Sequence, residues 1–420
     1  MNTFDSLAAG VNALLLGGSL AVGGATAVLL LETLAAILAK AEEIATDCSH
    51  GSKGALVTVA LPRIAVLIPA HNEADNIATV VCEVRQQLGN GDRLIVVADN
   101  CTDDTAAIAR SCGAEVIERL DLERCGKGYA IDFGMQYLSA SPPDIVVMLD
   151  ADCHVEGGGI ARIALLAHET GKPIQATYIL APLLDADERD VNTSPKTALS
   201  AFAFRVKNYV RPLGLHRLGF PCLLTGTGMA IPWTGLTKVD VASGNIVEDM
   251  KLGLDLALKG YAPRFCHDVQ VTGTLPEYQE DAIIQRRRWE HGHLTTMLTD
   301  VPRLLFAAVR QCRFDLLALA LEVSVPPLSL LMLLWAILMS AAGGWWLGTG
   351  GYGPVLVLSA AGGCLVVAVL GSWMLVGRQL MSLKTLLSVP FYVLWKLPLY
   401  VGFLGEREQQ WVRTKRASEL

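Results

Sequence analysis

The chain has 420 residues, of which 52% are hydrophobic and only 18% are charged, and its formal net charge is -7. This apolar surplus indicates a membrane protein, because soluble domains carry more charge. The acidic balance argues against a nucleic-acid-binding protein, which would present a basic surface. The ten cysteines are dispersed and show no zinc spacing, so we expect reduced intracellular thiols and no disulfide framework.

The first hydrophobic run covers residues 11–38 and is long enough to cross a bilayer, which needs about 20 apolar residues. A cleaved signal peptide is the alternative, but no lysine or arginine precedes the run. Lys40 is the first basic residue. The positive-inside rule therefore predicts a short N-terminus outside and a following domain in the cytoplasm.

From Arg63 onward, short apolar runs alternate with helix-like stretches. We predict strands at 64–68, 94–98, 115–118 and 145–149, with helices ending near 88 and covering 104–112 and 127–138. This alternation predicts an α/β domain with a mainly parallel sheet. Ligands of such sheets bind beyond the carboxyl ends of the strands.

Polar side chains follow three of the predicted strands at those carboxyl ends. A single acidic residue there, such as Asp104, can be no more than a helix cap. Three clusters at one edge of a sheet favour a ligand site instead. The clusters are His71, Asn72 and Glu73, then Asp99 and Asn100, then Asp150 and Asp152.

Asp150 and Asp152 close the apolar run 145–149, so the D-x-D pattern stands at a strand end. Two carboxylates at this spacing can share a hard cation such as Mg²⁺ or Mn²⁺, which also binds phosphate oxygens. His154 is close enough in sequence to add a ligand or to hydrogen-bond a phosphate. A surface turn is the alternative interpretation.

Lys127 lies between Gly126 and Gly128 at the start of a predicted helix. A lysine there can contact a phosphate with the help of the helix dipole, and glycines permit close backbone approach. The segment is not a Walker motif, because the longer glycine-rich loop is missing.

Glu248 and Asp249 open a predicted helix that ends near Gly260. A carboxylate at a helix N-terminus is stabilised there, so Asp249 is either an ordinary acidic residue or a general base for an acceptor hydroxyl. A small-residue strip precedes it and is either a flexible turn or a surface for substrate. The strip consists of Thr225, Gly226, Thr227 and Gly228.

A basic cluster follows at Gln285, Arg286, Arg287, Arg288 and Trp289. Arginines favour pyrophosphate through charge and forked geometry, and a tryptophan offers a broad face for a sugar. The alternative is a juxtamembrane patch that touches anionic lipid.

Two further spans are predicted at 316–342 and 354–376, joined by an uncharged, aromatic link. The run 386–404 contains Pro390, Lys396 and Pro398. If it crossed the membrane, the basic tail at 407–416 would lie outside, so an interfacial or folded-back segment is favoured. Residues 303–312 are predicted to form another interfacial helix. A transporter is disfavoured because the spans are few and no inverted repeat is visible.

The ordered series of motifs resembles the membrane-bound family-2 glycosyltransferases, a type that includes cellulose, hyaluronan and poly-N-acetylglucosamine synthases. The resemblance covers residues 63–300 approximately. The matching segments are Pro69 to Glu73, Asp99 to Thr105, Gly126 to Gly128, Asp150 to Asp152, Glu248 with Asp249, and Gln285 to Trp289, which fits the family's Q-x-x-R-W pattern.

The resemblance implies a glycosyltransferase A fold, a UDP-sugar donor, and inverting displacement without a covalent enzyme intermediate. Asp249 would be the catalytic base, and Asp150 and Asp152 would hold Mg²⁺ or Mn²⁺. The implied donor-binding residues are Pro69, Glu73, Asp99, Lys127, Asp150, Asp152, Gln285, Arg288 and Trp289. The implied acceptor-binding residues are Thr225, Gly226, Thr227, Gly228, Glu248 and Trp289.

The sequence thus predicts an N-terminal transmembrane helix and linker at 1–62, a cytoplasmic catalytic domain at 63–300, and interfacial and transmembrane helices with a basic tail at 301–420. The expected location is the inner (plasma) membrane. The expected acceptor is a growing exopolysaccharide or cell-envelope glycan, with export components as further partners. A polyprenyl-linked or ceramide-like lipid acceptor is the alternative, and a non-catalytic sugar-nucleotide-binding subunit is less favoured.

Overall fold

The computed structural model describes residues 3–47, 61–181, 194–274 and 279–405. Cys48 and the predicted basic tail lie outside these residues. The described parts of residues 1–46, 193–218 and 320–407 form one compact unit, which we call the helical unit. Those of residues 47–192 and 219–319 form a second, which we call the sheet unit.

The sheet unit is built on eight strands in the order β3-β2-β1-β4-β7-β6-β8-β5. Strand β1 pairs in parallel with β2 and β4, and β2 pairs in parallel with β3, whereas β7 is antiparallel to β4 and β6. The predicted α/β fold with a parallel-rich sheet is confirmed. The strands are β1 (Ile64–Ala70), β2 (Arg93–Asp99), β3 (Glu115–Arg119), β4 (Ile145–Met148), β5 (Cys153–Val155), β6 (Ile174–Ala181), β7 (Met229–Pro232) and β8 (Arg264–Thr274).

Helices cover both faces of this sheet, which explains why its central strands are continuous apolar runs. Val66 and Ile68 of β1 pack in one cluster with α2, and Leu67 packs in the other cluster with Ile131 of α4. Successive strand residues point to opposite faces, so one apolar strand serves both clusters. The helices are α2 (Ile77–Gln87), α3 (Thr105–Ser111), α4 (Lys127–Leu138), α5 (Gly159–Thr170), α8 (Trp233–Leu236), α9 (Glu248–Leu258) and α10 (Gln279–Gln311).

The strand order reverses between β1 and β4, which places a topological switch point beside the carboxyl ends of these strands. Two asparagines turn the chain there: Asn72 after β1 has φ 53° and Asn100 after β2 has φ 52°. Asparagine tolerates this left-handed conformation better than most residues, because its short polar side chain bonds locally. The loops that follow β1 and β2 therefore begin with sharp turns.

The helical unit contains three helices that are long and apolar enough to cross a membrane: Ser6–Ala41, Leu328–Thr349 and Gly353–Gly377. Its elements are α1 (Thr3–Asp47), α6 (Pro195–Arg205), a π-helical turn (Val206–Val210), α7 (Arg211–Arg217), α12 (Leu328–Thr349), α13 (Gly353–Ser372), a second π-helical turn (Trp373–Gly377), α14 (Leu383–Leu386), α15 (Val389–Trp395) and α16 (Leu397–Gly405). Helix α11 (Phe314–Ser324) contributes residues to both units.

Two helix predictions near the membrane region need correction. The predicted span 316–342 is not one helix, because Pro326 and Pro327 separate α11 from α12. Residues 303–312 do not form a separate helix either: Arg303 to Gln311 are the last part of α10, which continues through Pro302. Phe306 and Val309 are exposed there, at 67% and 80%.

Residues 386–404 fold as short helices and do not form a helix of spanning length. Within this run, the apolar helical stretch Val389–Phe403 is shorter than a membrane span. Pro390 stands at the start of α15 and Pro398 at the start of α16, positions where a missing N–H is tolerated but a preceding helix ends. This agrees with the favoured interfacial or folded-back arrangement.

Helix α1 packs lengthwise on the two other long helices of its unit. A Cβ atom placed on Gly18 would lie 3.2 Å from Leu338 of α12, and one on Gly23 would lie 3.5 Å from Val357 of α13. One on Gly371 would lie 3.1 Å from Thr33. Residue numbers thus increase in the same direction along α1 and α13, so these two helices run parallel. The start of α1 and the α12–α13 link therefore lie at the same end of the helical unit.

A buried ion-pair triad ties α1, α7 and α11 together. Arg211 Nε lies 2.7 Å from Glu32 Oε2, and its Nη2 lies 2.5 Å from Glu322 Oε2. All three side chains are at most 6% exposed. A Cβ atom on Gly214 would lie 2.0 Å from the carbonyl oxygen of Glu32, so only glycine permits this approach of α7 to α1.

We expect Arg211→Met to destabilise the helical unit by about 3–5 kcal/mol, because two buried carboxylates would lose their shared cation. The measurement is thermal unfolding of the purified full chain in detergent. Arg217→Met is the matched control, since Arg217 lies on the same helix but is exposed. Equal destabilisation by both substitutions would contradict a structural role for the triad.

Candidate active site

Lys127, the first residue of α4, joins two separate parts of the sheet unit. Its ammonium group contacts the carboxylate of Asp150, which follows β4, and donates a hydrogen bond of 2.8 Å to the carbonyl oxygen of Gly226. The backbone N–H of Asp150 donates to the hydroxyl of Thr227 at 3.1 Å. The strand end and the small-residue strip are thereby held side by side.

Asp249, in the first turn of α9, reaches the same place. A Cβ atom on Gly226 would lie 3.2 Å from Asp249 Oδ2 and 3.4 Å from Lys127 Nζ. Gly226 has φ 92°, a conformation that other residues rarely adopt. The backbone conformation of Gly226 favours glycine, and a side chain there would crowd Asp249 and Lys127. Asp249 and Lys127 therefore both lie next to Gly226, and Asp150 contacts Lys127.

Asp150, Asp152 and Cys153 have ligand atoms that all lie within 4.8 Å of one another. Burial raises the pKa of the Cys153 thiol, and the two neighbouring carboxylates raise it further, so the sulfur stays protonated. A neutral thiol is a poor ligand for a hard cation, whereas paired carboxylates suit Mg²⁺ and Mn²⁺. The donor set therefore fits a hard divalent cation held by the two aspartates.

His154 pairs with helix α2 in this structure, and its role as a metal ligand or a phosphate contact stays a prediction. His154 lies in β5, where successive side chains point to opposite faces. Its Nδ1 lies 2.7 Å from Glu83 Oε2 of α2. The imidazole is therefore paired with α2 and is absent from the group formed by Asp150, Asp152 and Cys153.

The charges of this cluster influence one another strongly. Burial raises the pKa of Asp150, and the charge of Asp152 adds to this, while Lys127 opposes it. Burial lowers the pKa of Lys127, but Asp150 and Glu248 outweigh burial and raise it. Lys127 therefore stays positive and partly neutralises a site that is rich in carboxylates.

Glu248 lies beside Asp249 at a cavity of about 180 Å³. Burial, followed by the charge of Asp249, raises the pKa of Glu248 to about 7 from 4.5. Lys127, Ser243 and Asn245 also line this cavity. Glu248 therefore stays partly protonated near neutral pH, unlike an ordinary surface acid.

We expect a stability signature from the raised pKa of Glu248. Between pH 4.5 and 7 the folded protein binds a proton at Glu248 that the unfolded chain has released, so stability falls as pH rises through this window. Glu248→Gln should remove this part of the pH dependence, a change on the order of a few degrees in the thermal midpoint. Identical midpoint-against-pH curves for both proteins would contradict the assignment.

Asp99, at the end of β2, already has a cationic partner that the sequence analysis missed. Arg119 Nη1 lies 2.6 Å from Asp99 Oδ1, and both side chains are under 10% exposed. Burial raises the pKa of Asp99, and Arg119 opposes the shift. Arg119 also pairs with Asp121, whose backbone bonds to the Asn100 side chain. The loop after β3 is thereby fastened to the end of β2.

The loops after β1 and β2 bond to each other directly. The backbone N–H of Glu73 donates to the Thr105 hydroxyl at 2.7 Å, and Asn72 exchanges two hydrogen bonds with Thr102. Pro69 of β1 lies opposite Val97 of β2, beyond Leu67, the last residue of β1 that pairs with β4. Pro69, Glu73 and Asp99 therefore lie at one ordered edge, and their nucleotide contacts stay a prediction.

Gln285, Arg288 and Trp289 are half-buried on α10, close to the start of α9. A Cβ atom on Gly292, four residues after Arg288, would lie 2.6 Å from Val247, which precedes Glu248. Lys251 of α9 also pairs with Asp300 of α10 at 3.0 Å. In the described part of the chain, Arg288 Nε is buried without a hydrogen-bond partner. The donor-binding roles of these residues stay predictions.

Gln175 is a second residue that the sequence analysis missed. It is 1% exposed, its amide nitrogen donates to the Thr227 carbonyl at 2.9 Å, and its oxygen accepts from the Thr225 N–H at 2.9 Å. A Cβ atom on Gly228 would lie 2.6 Å from Val271. The strip from Thr225 to Gly228 is therefore a fixed part of the sheet unit. The only available signal was a polar residue inside the apolar strand β6.

An α/β sheet of this order, with acidic residues at its switch point, defines a glycosyltransferase A fold. Residues 62–292 match the family model described as Glycosyltransferase like family 2. The match covers more than half of the chain, which therefore belongs to this family.

Curated relatives match shorter segments. An uncharacterized glycosyltransferase of Mycobacterium tuberculosis is 33% identical over 100 residues, which is 24% of this chain and 41% of that protein. Glucosyl-3-phosphoglycerate synthase of Mycolicibacterium paratuberculosis is 38% identical over 95 residues, which is 21% of this chain and 28% of that protein. The chain thus spans less than half the length of these relatives.

Among solved structures, a mannosyltransferase of Pyrobaculum calidifontis in complex with GDP-Man and Mn²⁺ covers 92% of this chain and 100% of its own, with 16% identity and a TM-score of 0.50. At this identity the likeness supports the fold alone.

Proposed function

We propose that this protein is a membrane-embedded, metal-dependent, inverting glycosyltransferase that moves a sugar from a UDP-sugar to an acceptor hydroxyl. The observation that carries the proposal is the meeting of Lys127, Asp150 and Asp249 around Gly226, with Asp152 beside them. This reaction needs a positive group for a diphosphate, a carboxylate pair for a cation and a further carboxylate as a base.

Asp150 and Asp152 would hold Mg²⁺ or Mn²⁺. Bound there, the cation supplies charge neutralisation to the diphosphate. The structure from Pyrobaculum calidifontis contains GDP-Man and Mn²⁺, which supports a divalent cation here. Lys127 adds a permanent positive charge on the same side, since its pKa is raised by the surrounding carboxylates against the effect of burial.

In the proposed reaction, the acceptor oxygen bonds to the anomeric carbon while the bond from that carbon to the diphosphate oxygen breaks. The diphosphate leaves with the bonding electron pair, and the acceptor proton moves to the carboxylate of Asp249. Negative charge grows on the departing diphosphate, where Lys127 and the half-buried Arg288 stabilise it. One displacement of this kind inverts the anomeric configuration.

We propose uridine as the donor base, with Pro69, Glu73 and Asp99 at its contact surface and Gln285 and Trp289 nearer the acceptor end. Guanosine is the main competitor, since the structure from Pyrobaculum calidifontis contains GDP-Man. The experiment is a donor screen with UDP-glucose, UDP-N-acetylglucosamine and GDP-mannose, in which the released diphosphate is measured for the full chain in nanodiscs. Turnover with GDP-mannose alone would refute the uridine assignment.

For the acceptor, the first proposal is a cell-envelope glycan, bound along Thr225, Gly226, Thr227 and Gly228 with Glu248 and Trp289 nearby. A lipid-linked acceptor is the second candidate, and the small number of long apolar helices in the described chain favours it. Mass analysis separates the two. A single sugar on an organic-extractable lipid supports the lipid acceptor, whereas a water-soluble ladder of products supports polymer synthesis and a need for export partners.

We also propose that the sheet unit is cytoplasmic at the plasma membrane. The absence of basic residues before the first span and the presence of Lys40 after it support this orientation. Single-cysteine labelling of intact cells and of inverted vesicles tests it, with residues of the α12–α13 link expected to react from outside.

A further inference from the structure

Two segments at one end of the helical unit differ sharply in charge from the α12–α13 link at the other. The α12–α13 link and the residues beside it, 345–352, contain no charged residue. At the other end, segment 194–218 contains five lysines and arginines, segment 373–405 contains three more, and neither contains an aspartate or glutamate. Only Arg211 of this set belongs to the buried triad.

These two basic segments pack against each other. The Ser200 hydroxyl of α6 lies 2.7 Å from the Tyr392 hydroxyl of α15. A Cβ atom on Gly377 of the second π-helical turn would lie 3.1 Å from Phe202 of α6. Cations from α6, the π-helical turn and the short helices are thereby brought to one surface.

Three exposed cations mark this surface: Lys196, Arg378 and Lys384. The ammonium group of Lys196 lies 4.8 Å from the ring centroid of Trp395, and the guanidinium of Arg378 lies 5.4 Å from that of Trp373. Tryptophan with lysine or arginine in this arrangement is typical of the level of lipid headgroups. We call Lys196, Arg378 and Lys384 the basic surface.

Exposed apolar side chains lie on α15 and in the turn between α14 and α15. Leu387, Phe391 and Leu394 are 73%, 76% and 61% exposed. In water, this exposure of large apolar groups is unfavourable by roughly 25 cal/mol per Å². Helices of seven and nine residues with apolar groups beside cations fit the membrane–water boundary, where apolar groups enter the acyl region and cations stay with the headgroups.

We propose that the basic surface is a binding site for anionic phospholipid headgroups of the cytoplasmic leaflet, with Leu387, Phe391 and Leu394 inserted beneath them. The two segments contain no carboxylate of their own to neutralise these cations, and lipid phosphates would supply the complementary charge. A zwitterionic headgroup offers no net charge and binds more weakly. This inference concerns the helical unit and is independent of the sugar-transfer reaction, and only its assignment to the cytoplasmic leaflet rests on the orientation proposed above.

The test is native mass spectrometry of the full chain released from mixed micelles that contain equal amounts of phosphatidylglycerol and phosphatidylcholine. The wild-type protein should retain phosphatidylglycerol preferentially. Each neutralised cation should reduce that preference by about fivefold, so K196Q/R378Q/K384Q should lose most of it. K196R/K384R should keep it, because the charge is conserved, and so should Lys259→Gln, an exposed lysine of the sheet unit.

Two results would overturn the inference: equal retention of both lipids by the wild-type protein, or an undiminished preference in the triple variant. Thermal unfolding of each variant shows whether it is folded. If the triple variant does not fold, Lys384→Gln alone serves, since Lys384 is exposed on a four-residue helix and its removal leaves the core intact. A preference in that single variant equal to the wild-type value would likewise contradict the inference.

Discussion

Replacing Asp249 with asparagine is expected to lower kcat by about 10²–10⁴-fold, the contribution of a positioned general base. Asparagine has the same shape but cannot accept the acceptor proton, so the contacts around Gly226 should persist while proton removal fails. Donor binding should change little, because Asp249 acts on the acceptor side. The measurement is steady-state diphosphate release by the full chain in nanodiscs, together with donor binding at equilibrium.

Asp132→Asn is the matched control for this variant, since Asp132 lies on α4 and accepts a hydrogen bond from Gln136, one turn further along the helix. Its activity should equal that of the wild-type protein. Full turnover by Asp249→Asn would refute the assigned base. Equal losses in both variants would indicate a general effect of removing acidic charge.

Removing the Asp152 carboxylate is expected to weaken metal binding and lower kcat/KM by about 10³-fold, since a metal's stabilisation of developing charge is worth several kcal/mol. Asp152→Ala leaves Asp150 paired with Lys127, so the remaining site has one carboxylate already neutralised by a lysine. The measurements are Mn²⁺ binding to the purified protein and activity as a function of Mn²⁺ concentration.

His154→Gln is the informative control for the metal site. His154 is two residues from Asp152 in the sequence but pairs with Glu83, so its loss should leave Mn²⁺ affinity unchanged. Normal metal affinity and activity in Asp152→Ala would remove Asp152 from the ligand set. A strong loss of metal affinity in His154→Gln would support the sequence prediction that His154 adds a metal ligand.

The sheet unit was predictable where neighbours in the chain carry the signal. The apolar runs at 64–68, 94–98 and 145–149 each became a central strand, because continuous valine and isoleucine suit a strand buried on both faces. Polar residues directly after those strands followed the switch-point rule, which needs only strand order. Lys127 and Asp249 could be predicted as site residues because each lies in the first turn of a predicted helix.

The missed residues have partners far away in the chain. Arg119 pairs with Asp99, Gln175 holds Thr227, and Arg211 pairs with residues 179 and 111 positions distant. Nothing local distinguishes a buried arginine with two carboxylate partners from an exposed one. The predicted runs 11–38 and 354–376 each lie within a helix long and apolar enough to cross a membrane. The bounds 316–342 were wrong for a different reason: hydropathy alone does not register the break at Pro326 and Pro327, so the prediction merged α11 with α12.

The central claim is that the site around Lys127, Asp150, Asp152 and Asp249 transfers sugar from a nucleotide donor. The direct measurement is a product balance in one nanodisc sample, with released nucleoside diphosphate and newly bonded sugar both quantified by mass spectrometry, with Mn²⁺ and with EDTA. We predict one diphosphate released per sugar transferred with Mn²⁺, and neither with EDTA. Donor binding without diphosphate release or sugar transfer, across the donors of the screen, would contradict the claim and favour a non-catalytic subunit.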